Sequence, residues 1–264
     1  MLINGALRYP GGKTRVAAKL ISYFPVFSEY REPFLGGGSV YLRLKQIYPD
    51  RSFWINDLNK NLYSFWACMK RNPEILIKSI QSVKDNKKSG KDVYFELKNL
   101  HTHKISDLAV KFFILNRITF SGLIESGGFS EHAFNGRFTQ SSINRLQNLS
   151  SLLNKTKITN LDYESIIQSS GNDVFIYLDP PYLGAVKYPL YGNRGDLHKE
   201  FDYKRFASVL KSTDHKWLLT IDDSDRMRSF FKFANIRKLK IQYGMNNVKK
   251  TNAKIGNELL ITNY

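Results

Sequence analysis

The segment Phe34-Leu35-Gly36-Gly37-Gly38-Ser39 constrains the fold more than any other stretch of the chain. A short strand ends near Phe34, and consecutive glycines allow a tight turn in which a backbone can approach a ligand closely. Val40, Leu44 and Ile47 then recur at helical spacing, with Ser39 placed to cap the helix. Phe53-Trp54-Ile55 reads as the next strand. The result is a βαβ unit with glycines at its first strand-to-helix junction, which points to an α/β fold.

Strand signals return in the second half. Val174 to Leu178 is a continuous apolar run, the pattern of a central strand buried on both faces, and Trp217 to Ile221 is another. Leu239, Ile241 and Tyr243 alternate with Lys238, Lys240 and Gln242, as in a half-exposed strand. Glu258 to Thr262 reads as the last strand, and the basic loop from Gly244 to Asn257 joins these two as a long hairpin. Between the α/β parts, residues 60–147 read as largely helical, from Leu62 to Met69, Ile75 to Val83 and Leu108 to Leu115. A glycine- and serine-rich loop follows from Ser121 to Ser142. The chain therefore divides into residues 1–59, a helical insert at 60–147, and residues 148–264.

Charge says what such a fold works on. Among 264 residues, 40 Lys and Arg stand against 23 Asp and Glu, a net charge of +17 that favours a polyanionic partner. From Arg226 to Asn257 the chain has nine basic residues, Lys249, Lys250 and Lys254 among them, and no acidic one. Phosphates suit such a run, although a merely solvated face has the same pattern. No apolar run approaches the roughly 20 residues that span a bilayer. The single cysteine, Cys68, excludes an internal disulfide. A cytoplasmic location with no membrane contact is the expectation.

The sharpest chemical signal is Asp179-Pro180-Pro181-Tyr182, directly after the apolar run. Ligands in open α/β sheets bind at the carboxyl ends of strands. An exocyclic amine such as that of adenine offers two hydrogens, which the Asp179 carboxylate and the Pro180 carbonyl can accept. That turns the nitrogen lone pair toward an electrophile. The prolines stiffen the loop, and Tyr182 can stack on a flat base. The plainer alternative is a rigid turn closing a strand. Asp57, about twenty residues beyond the glycine turn, has the spacing of an acidic residue that takes both hydroxyls of a ribose.

Arg8-Tyr9-Pro10-Gly11-Gly12-Lys13-Thr14 fails as a phosphate loop, because Leu7 stands where that pattern needs glycine. His101 and His103 lack a Cys or carboxylate pair to complete a metal site, and none is expected. Asp222, Asp223 and Asp225 read as capping residues rather than metal ligands, and Cys68 as a core residue.

Tyr9-Pro10-Gly11-Gly12-Lys13, Glu32-Pro33 with the glycine turn, Asn56-Asp57, Asn116-Arg117 and Asp179-Pro180-Pro181-Tyr182 resemble, in the same order, the Dam family of DNA adenine-N6 methyltransferases. The resemblance runs nearly end to end and is weakest in the insert. It implies a Rossmann-like methyltransferase fold with an inserted helical target-recognition domain. It also implies S-adenosylmethionine as methyl donor, S-adenosylhomocysteine as product, and double-stranded DNA as partner. Carried over, it assigns Tyr9, Lys13, Asp57 and Asp179 to the cofactor, with Phe34, Gly36 and Gly38 in the turn under its methionine part. Asp162 and Tyr163 fall where relatives touch the cofactor's adenine. Methyl transfer would be direct, onto an adenine flipped out of the duplex.

Members that read GATC carry Asn-Gly-Leu-x-Arg and later Phe-Asn-Val-Pro after the Asn-Arg pair. Here the chain reads Phe120-Ser121-Gly122-Leu123-Ile124-Glu125, then Phe134-Asn135-Gly136-Arg137-Phe138-Thr139. Ser121 and Glu125 depart from the pattern, so a site other than GATC is expected. Asn116 and Arg117 are carried over as DNA contacts, and Phe120 lies where relatives place an aromatic near the flipped base. Arg137 is the candidate for reading guanine, Asn135 for adenine and Glu125 for a cytosine amine. Arg137 on a phosphate is the alternative. Competing functions are N4-cytosine methylation, which favours Ser at position 179, methylation of structured RNA, and a catalytically idle DNA-binding regulator. A cognate restriction endonuclease, a phage role and a housekeeping role all remain open at this point, as does the oligomeric state.

Overall fold

The computed structural model describes residues 5–9, 11–86, 88–124, 126–182, 201–242 and 255–264. Seven strands form one sheet: β1 (Glu29–Glu32), β2 (Ser52–Asn56), β3 (Thr156–Thr159), β4 (Val174–Leu178), β5 (Lys216–Asp222), β6 (Asn235–Gln242) and β7 (Ile255–Thr262). Their order is β3-β2-β1-β4-β5-β7-β6. The first five run parallel, and β7 enters antiparallel between β5 and β6. The β6–β7 hairpin forms as expected, while the basic loop within it, with Lys249, Lys250 and Lys254, lies outside the described residues.

Helices cover both faces. On one lie α1 (Ala17–Ile21) and α2 (Ser39–Ile47), together with the helices that follow β2. Those are α3 (Lys60–Arg71), α4 (Pro73–Asp85), α5 (Gly90–Asn99), α6 (Ile105–Ile118), α7 (Glu131–Arg137) and α8 (Gln140–Ser150). On the other face lie α9 (Tyr163–Ile167), α10 (Tyr203–Ser212) and α11 (Asp225–Phe230). Strand β4 shows why two layers form. Phe175 and Tyr177 point into the first cluster, while Val174, Ile176 and Leu178 point into the second. The first cluster runs unbroken from Leu20 and Tyr30 through Phe65 and Phe112 to Leu149, with Phe65 stacked on Phe113 at 5.9 Å. One core thus joins the sheet to the helices that follow β2.

Three sequence expectations are corrected. The stretch from Ser121 to Ser142 is not all loop: α7 lies within it, its N-terminus capped by the Ser130 hydroxyl on the Ala133 N–H. Ser39 is not the cap of α2. Gly38 holds that position with φ +66°, a left-handed conformation suited to glycine, and α2 has no side-chain cap. At α11 the cap is the Ser224 hydroxyl, while Asp223 pairs with Arg228 at 2.6 Å. Cys68 is half-buried at the margin of the core.

Candidate active site

The strand order reverses direction between β1 and β4, since the chain leaves β1 toward β2 on one side and β4 toward β5 on the other. Loops leaving two such strands diverge and open a crevice at their carboxyl ends. The loop after β1 is Pro33 to Gly38, and the loop after β4 is Asp179 to Tyr182. The two strongest sequence motifs therefore meet at the one place where this topology forms a site.

Asp179 is held there by contacts from distant parts of the chain. The Lys13 ammonium donates to its two carboxylate oxygens at 2.8 and 3.0 Å. The Tyr182 hydroxyl donates to Oδ1 at 2.9 Å and accepts from Lys13 at 2.8 Å. Thr220 of β5 donates to the same oxygen at 3.0 Å. Lys13 is 3% exposed and also lies 3.6 Å from Glu258, a β7 carboxylate that is itself 1% exposed. A buried ammonium beside two carboxylates supplies counter-charge in a setting where an unpaired charge would be costly. Pro180 lies buried beside them, and Pro181 is half-buried.

The glycine turn closes the other side of the crevice. Gly36 has φ +51°, and a Cβ added there would come within 2.8 Å of the Tyr9 ring. Tyr9 therefore lies directly on the turn, and Leu7-Arg8-Tyr9 is locked in place by Asn116. That amide donates to the Arg8 carbonyl at 2.6 Å and accepts from the Arg8 N–H at 3.0 Å. Asp57, after β2, accepts from the Gly36 N–H and the Asn59 N–H, each at 2.9 Å. Burial pushes its carboxyl up to about 6, against the pull of these two bonds.

Asn56, beside it and 1% exposed, ties three loops together. It donates to Pro33 O at 3.1 Å and Leu161 O at 2.9 Å, and accepts from Thr159 at 2.8 Å and the Leu161 N–H at 2.9 Å. The sequence marks Asn56 as half of the Asn56-Asp57 motif but not as a tie between loops, and it gives no sign of Leu58 and Leu161. These leucines follow the carboxyl ends of β2 and β3 and are 53% and 43% exposed. Asp162 and Tyr163, expected at the cofactor, have structural tasks here. Asp162 caps α9 through the Glu164 N–H at 3.0 Å and pairs with Arg205 at 2.9 Å. Tyr163 is 8% exposed and packs on Phe34 at 5.6 Å.

Among the expected DNA contacts, Asn116 is 1% exposed with its amide used internally, so it positions Arg8 instead of reaching outward. Arg117 is 5% exposed above the Phe113 ring at 5.3 Å, and its Nε lacks a hydrogen-bond partner among the described residues. Burial first, then Arg145, Arg8 and Arg137, push this guanidinium down to about 9. Arg8, shifted down by burial and by Arg137, likewise has a buried Nη1 without a partner among the described residues. Phe120 is 61% exposed on a turn where Ser121 takes φ +53°. Asn135 and Arg137 are exposed on α7, and Glu125 lies outside the described residues.

A doubly wound sheet with a reversed hairpin strand, and with an Asp-Pro-Pro-Tyr loop at its switch point, is the fold of a Rossmann-like methyltransferase. The chain belongs to the D12 class N6 adenine-specific DNA methyltransferases, whose sequence profile matches residues 9–245. It is 27% identical to Type II methyltransferase M.MjaIII of Methanocaldococcus jannaschii, over the full length of both chains. It is 26% identical to Type II methyltransferase M1.LlaDCHI of Lactococcus lactis subsp. cremoris, over 97% of this chain and 94% of that one. DNA adenine methylase of Vibrio cholerae is 23% identical over 67% of this chain and 64% of its own length. The activity is therefore methyl transfer to the N6 amine of adenine in DNA. No helix among the described residues is long and apolar enough to cross a membrane.

Proposed function

We propose that the β1–β4 crevice holds S-adenosylmethionine beside an adenine turned out of double-stranded DNA, and that the helical insert at residues 60–147 forms the target-recognition domain. The convergence of Lys13, Asp179 and Tyr182 at the topological switch point carries this reading. The residues fit the cofactor. Gly36 and Gly38 take left-handed φ values that let the turn fold tightly against Tyr9 and Trp66, Asp57 offers a carboxylate for ribose hydroxyls, and the exposed Leu58 and Leu161 offer apolar faces for a base. Tyr9, Lys13 and Phe34 complete the enclosure. When bound, S-adenosylmethionine supplies the methyl group as an electrophile on a sulfonium.

The chain's own residues aim the amine. Asp179 and the Pro180 carbonyl accept its two hydrogens, so the nitrogen lone pair faces the donor, and the Tyr182 ring stacks on the base. The amine gains a carbon and releases one hydrogen as a proton. Base flipping follows from geometry, because an amine inside the stack is out of reach of any such crevice.

The DNA runs past Arg8, Arg117, Arg137 and Arg145. Their mutual repulsion and the unpartnered guanidinium nitrogens of Arg8 and Arg117 support a role for phosphates as counter-charges. Phe120 stacks near the flipped base. Arg137 reads guanine, with Asn135 and Glu125 as further base readers, and Lys249, Lys250 and Lys254 add phosphate contacts. The type II names of two relatives support work alongside a restriction endonuclease, in the cytoplasm. Modification-sensitive sequencing of DNA from cells expressing the chain tests the whole reading. N6-methyladenine within one short motif is expected, and the departures at Ser121 and Glu125 favour a motif other than GATC. Methylated cytosine, or no modification, would overturn the reading.

A further inference from the structure

Two consecutive prolines leave positions 180 and 181 without backbone N–H groups, so neither can donate a backbone hydrogen bond to hold this part of the loop. The structure supplies the missing donor from elsewhere. The Tyr203 hydroxyl donates to the Pro181 carbonyl. We propose that Tyr203 is a positioning residue for methyl transfer, pinning Pro181 so that the neighbouring Pro180 carbonyl stays aimed at the target amine. The inference rests on the reading of Asp179 and Pro180 as the two acceptors of that amine.

The lever is covalent. The pyrrolidine ring fixes φ of Pro181, and the peptide carrying the Pro180 carbonyl is planar. Only ψ of Pro181 remains soft between the two carbonyls. A hydroxyl holding one therefore restrains the other. Among the described residues no hydrogen bond reaches the Pro180 carbonyl, so Tyr203 occupies one of the loop's two proline carbonyls and leaves the other for substrate.

Tyr203 is itself well fixed. It is 4% exposed at the first turn of α10, whose N-terminus is capped by Asp202 on the Arg205 N–H at 2.9 Å. Its ring meets Phe201 edge-on at 4.9 Å, and Phe201 in turn packs on Phe34 at 5.8 Å. Phe34 opens the glycine turn. The same aromatic chain thus links the loop after β4 to the loop after β1. Burial raises the phenol's pKa, which keeps the hydroxyl protonated and able to donate.

Tyr203→Phe removes one oxygen and keeps the packing. In single-turnover transfer of labelled methyl from S-adenosylmethionine to unmethylated genomic DNA, we expect the rate to fall about tenfold or more. Dissociation constants for S-adenosylmethionine and DNA should stay within about twofold, and the melting temperature should stay near wild type. A wild-type rate in Tyr203→Phe overturns the proposal. So does a lowered melting temperature with an unchanged rate per folded molecule, which is what a purely structural role gives. Asp179→Ala, run alongside, separates the two claims. An active Asp179→Ala overturns the site reading and this proposal with it, whereas an inactive Asp179→Ala beside a fully active Tyr203→Phe overturns this proposal alone.

Discussion

Lys13 and Asp179 stand 166 positions apart in the chain, yet the ammonium of one lies 2.8 Å from a carboxylate oxygen of the other. Glu258 lies 3.6 Å from the same ammonium. Lys13→Met would leave two carboxylates facing each other without their cation. The loss of stability should be about 3 kcal/mol, the scale for breaking a buried ion pair. Adding Glu258→Gln removes one of the stranded charges, so the double variant should be more stable than Lys13→Met alone. Equal or lower stability of the double variant in chemical denaturation would show that Glu258 does not share the lysine.

Asp57 gives a pH dependence whose sign is fixed. Its carboxyl titrates at about 6 in the folded protein against an ordinary value of 3.8, because of burial. The folded state thus holds this proton more tightly than the unfolded chain, and Asp57's contribution to stability falls as pH rises from about 4 to about 6. The proposed role of Asp57 at the ribose gives cofactor binding the opposite sign, since only the ionised carboxylate could accept from both hydroxyls. Calorimetry should show S-adenosylmethionine binding tighter at pH 7.5 than at pH 5, and Asp57→Ala should lose both affinity and this pH effect. An affinity that does not change across that range would remove Asp57 from the ribose.

Asn56→Asp tests the hub that ties the loops after β1, β2 and β3. The substitution keeps the shape but turns two donors, to Pro33 O and Leu161 O, into repelling acceptors. Stability should fall by about 1–3 kcal/mol for the unsatisfied buried groups. The dissociation constant for S-adenosylmethionine should rise by about tenfold, 1.4 kcal/mol, in the protein that remains folded. If the affinity holds while stability drops, the three loops do not depend on Asn56 for their spacing.

Arg137 tests sequence reading. It is exposed at the last turn of α7 and close enough to Arg8 and Arg117 to lower both. Arg137→Ala should relax the preference at one position of the recognition site, a cost of roughly 1–3 kcal/mol in discrimination. Activity falling in proportion on all sequences would mean that Arg137 meets a phosphate instead.

How much of this was legible in the sequence follows from the range of the forces involved. The glycine turn, α2, β2, β4 and β5 were legible because local periodicity and composition carry them. Strand β3 was missed: it has four residues, Thr156 is its one fully buried side chain, and its polar pattern does not alternate. Helix α7 was hidden by glycine, serine and asparagine around it. At the site, Asp179, Lys13 and Asp57 stood out as motif residues. Leu161, Glu258 and Tyr203 did not, because each acts on a partner in a distant segment, and Asn56 stood out only as a motif residue, not as the tie to Leu161, 105 positions away. Asn116 misled in the opposite sense. It belongs to a recognisable motif, but its amide is turned inward onto Arg8.

The central claim is that Asp179 aims the target amine, and single-turnover methyl transfer by Asp179→Ala tests it most directly. The account predicts a rate lowered more than about a hundredfold with DNA affinity nearly intact, since orientation is lost while the phosphate contacts remain. A wild-type rate in the purified, folded variant would contradict it.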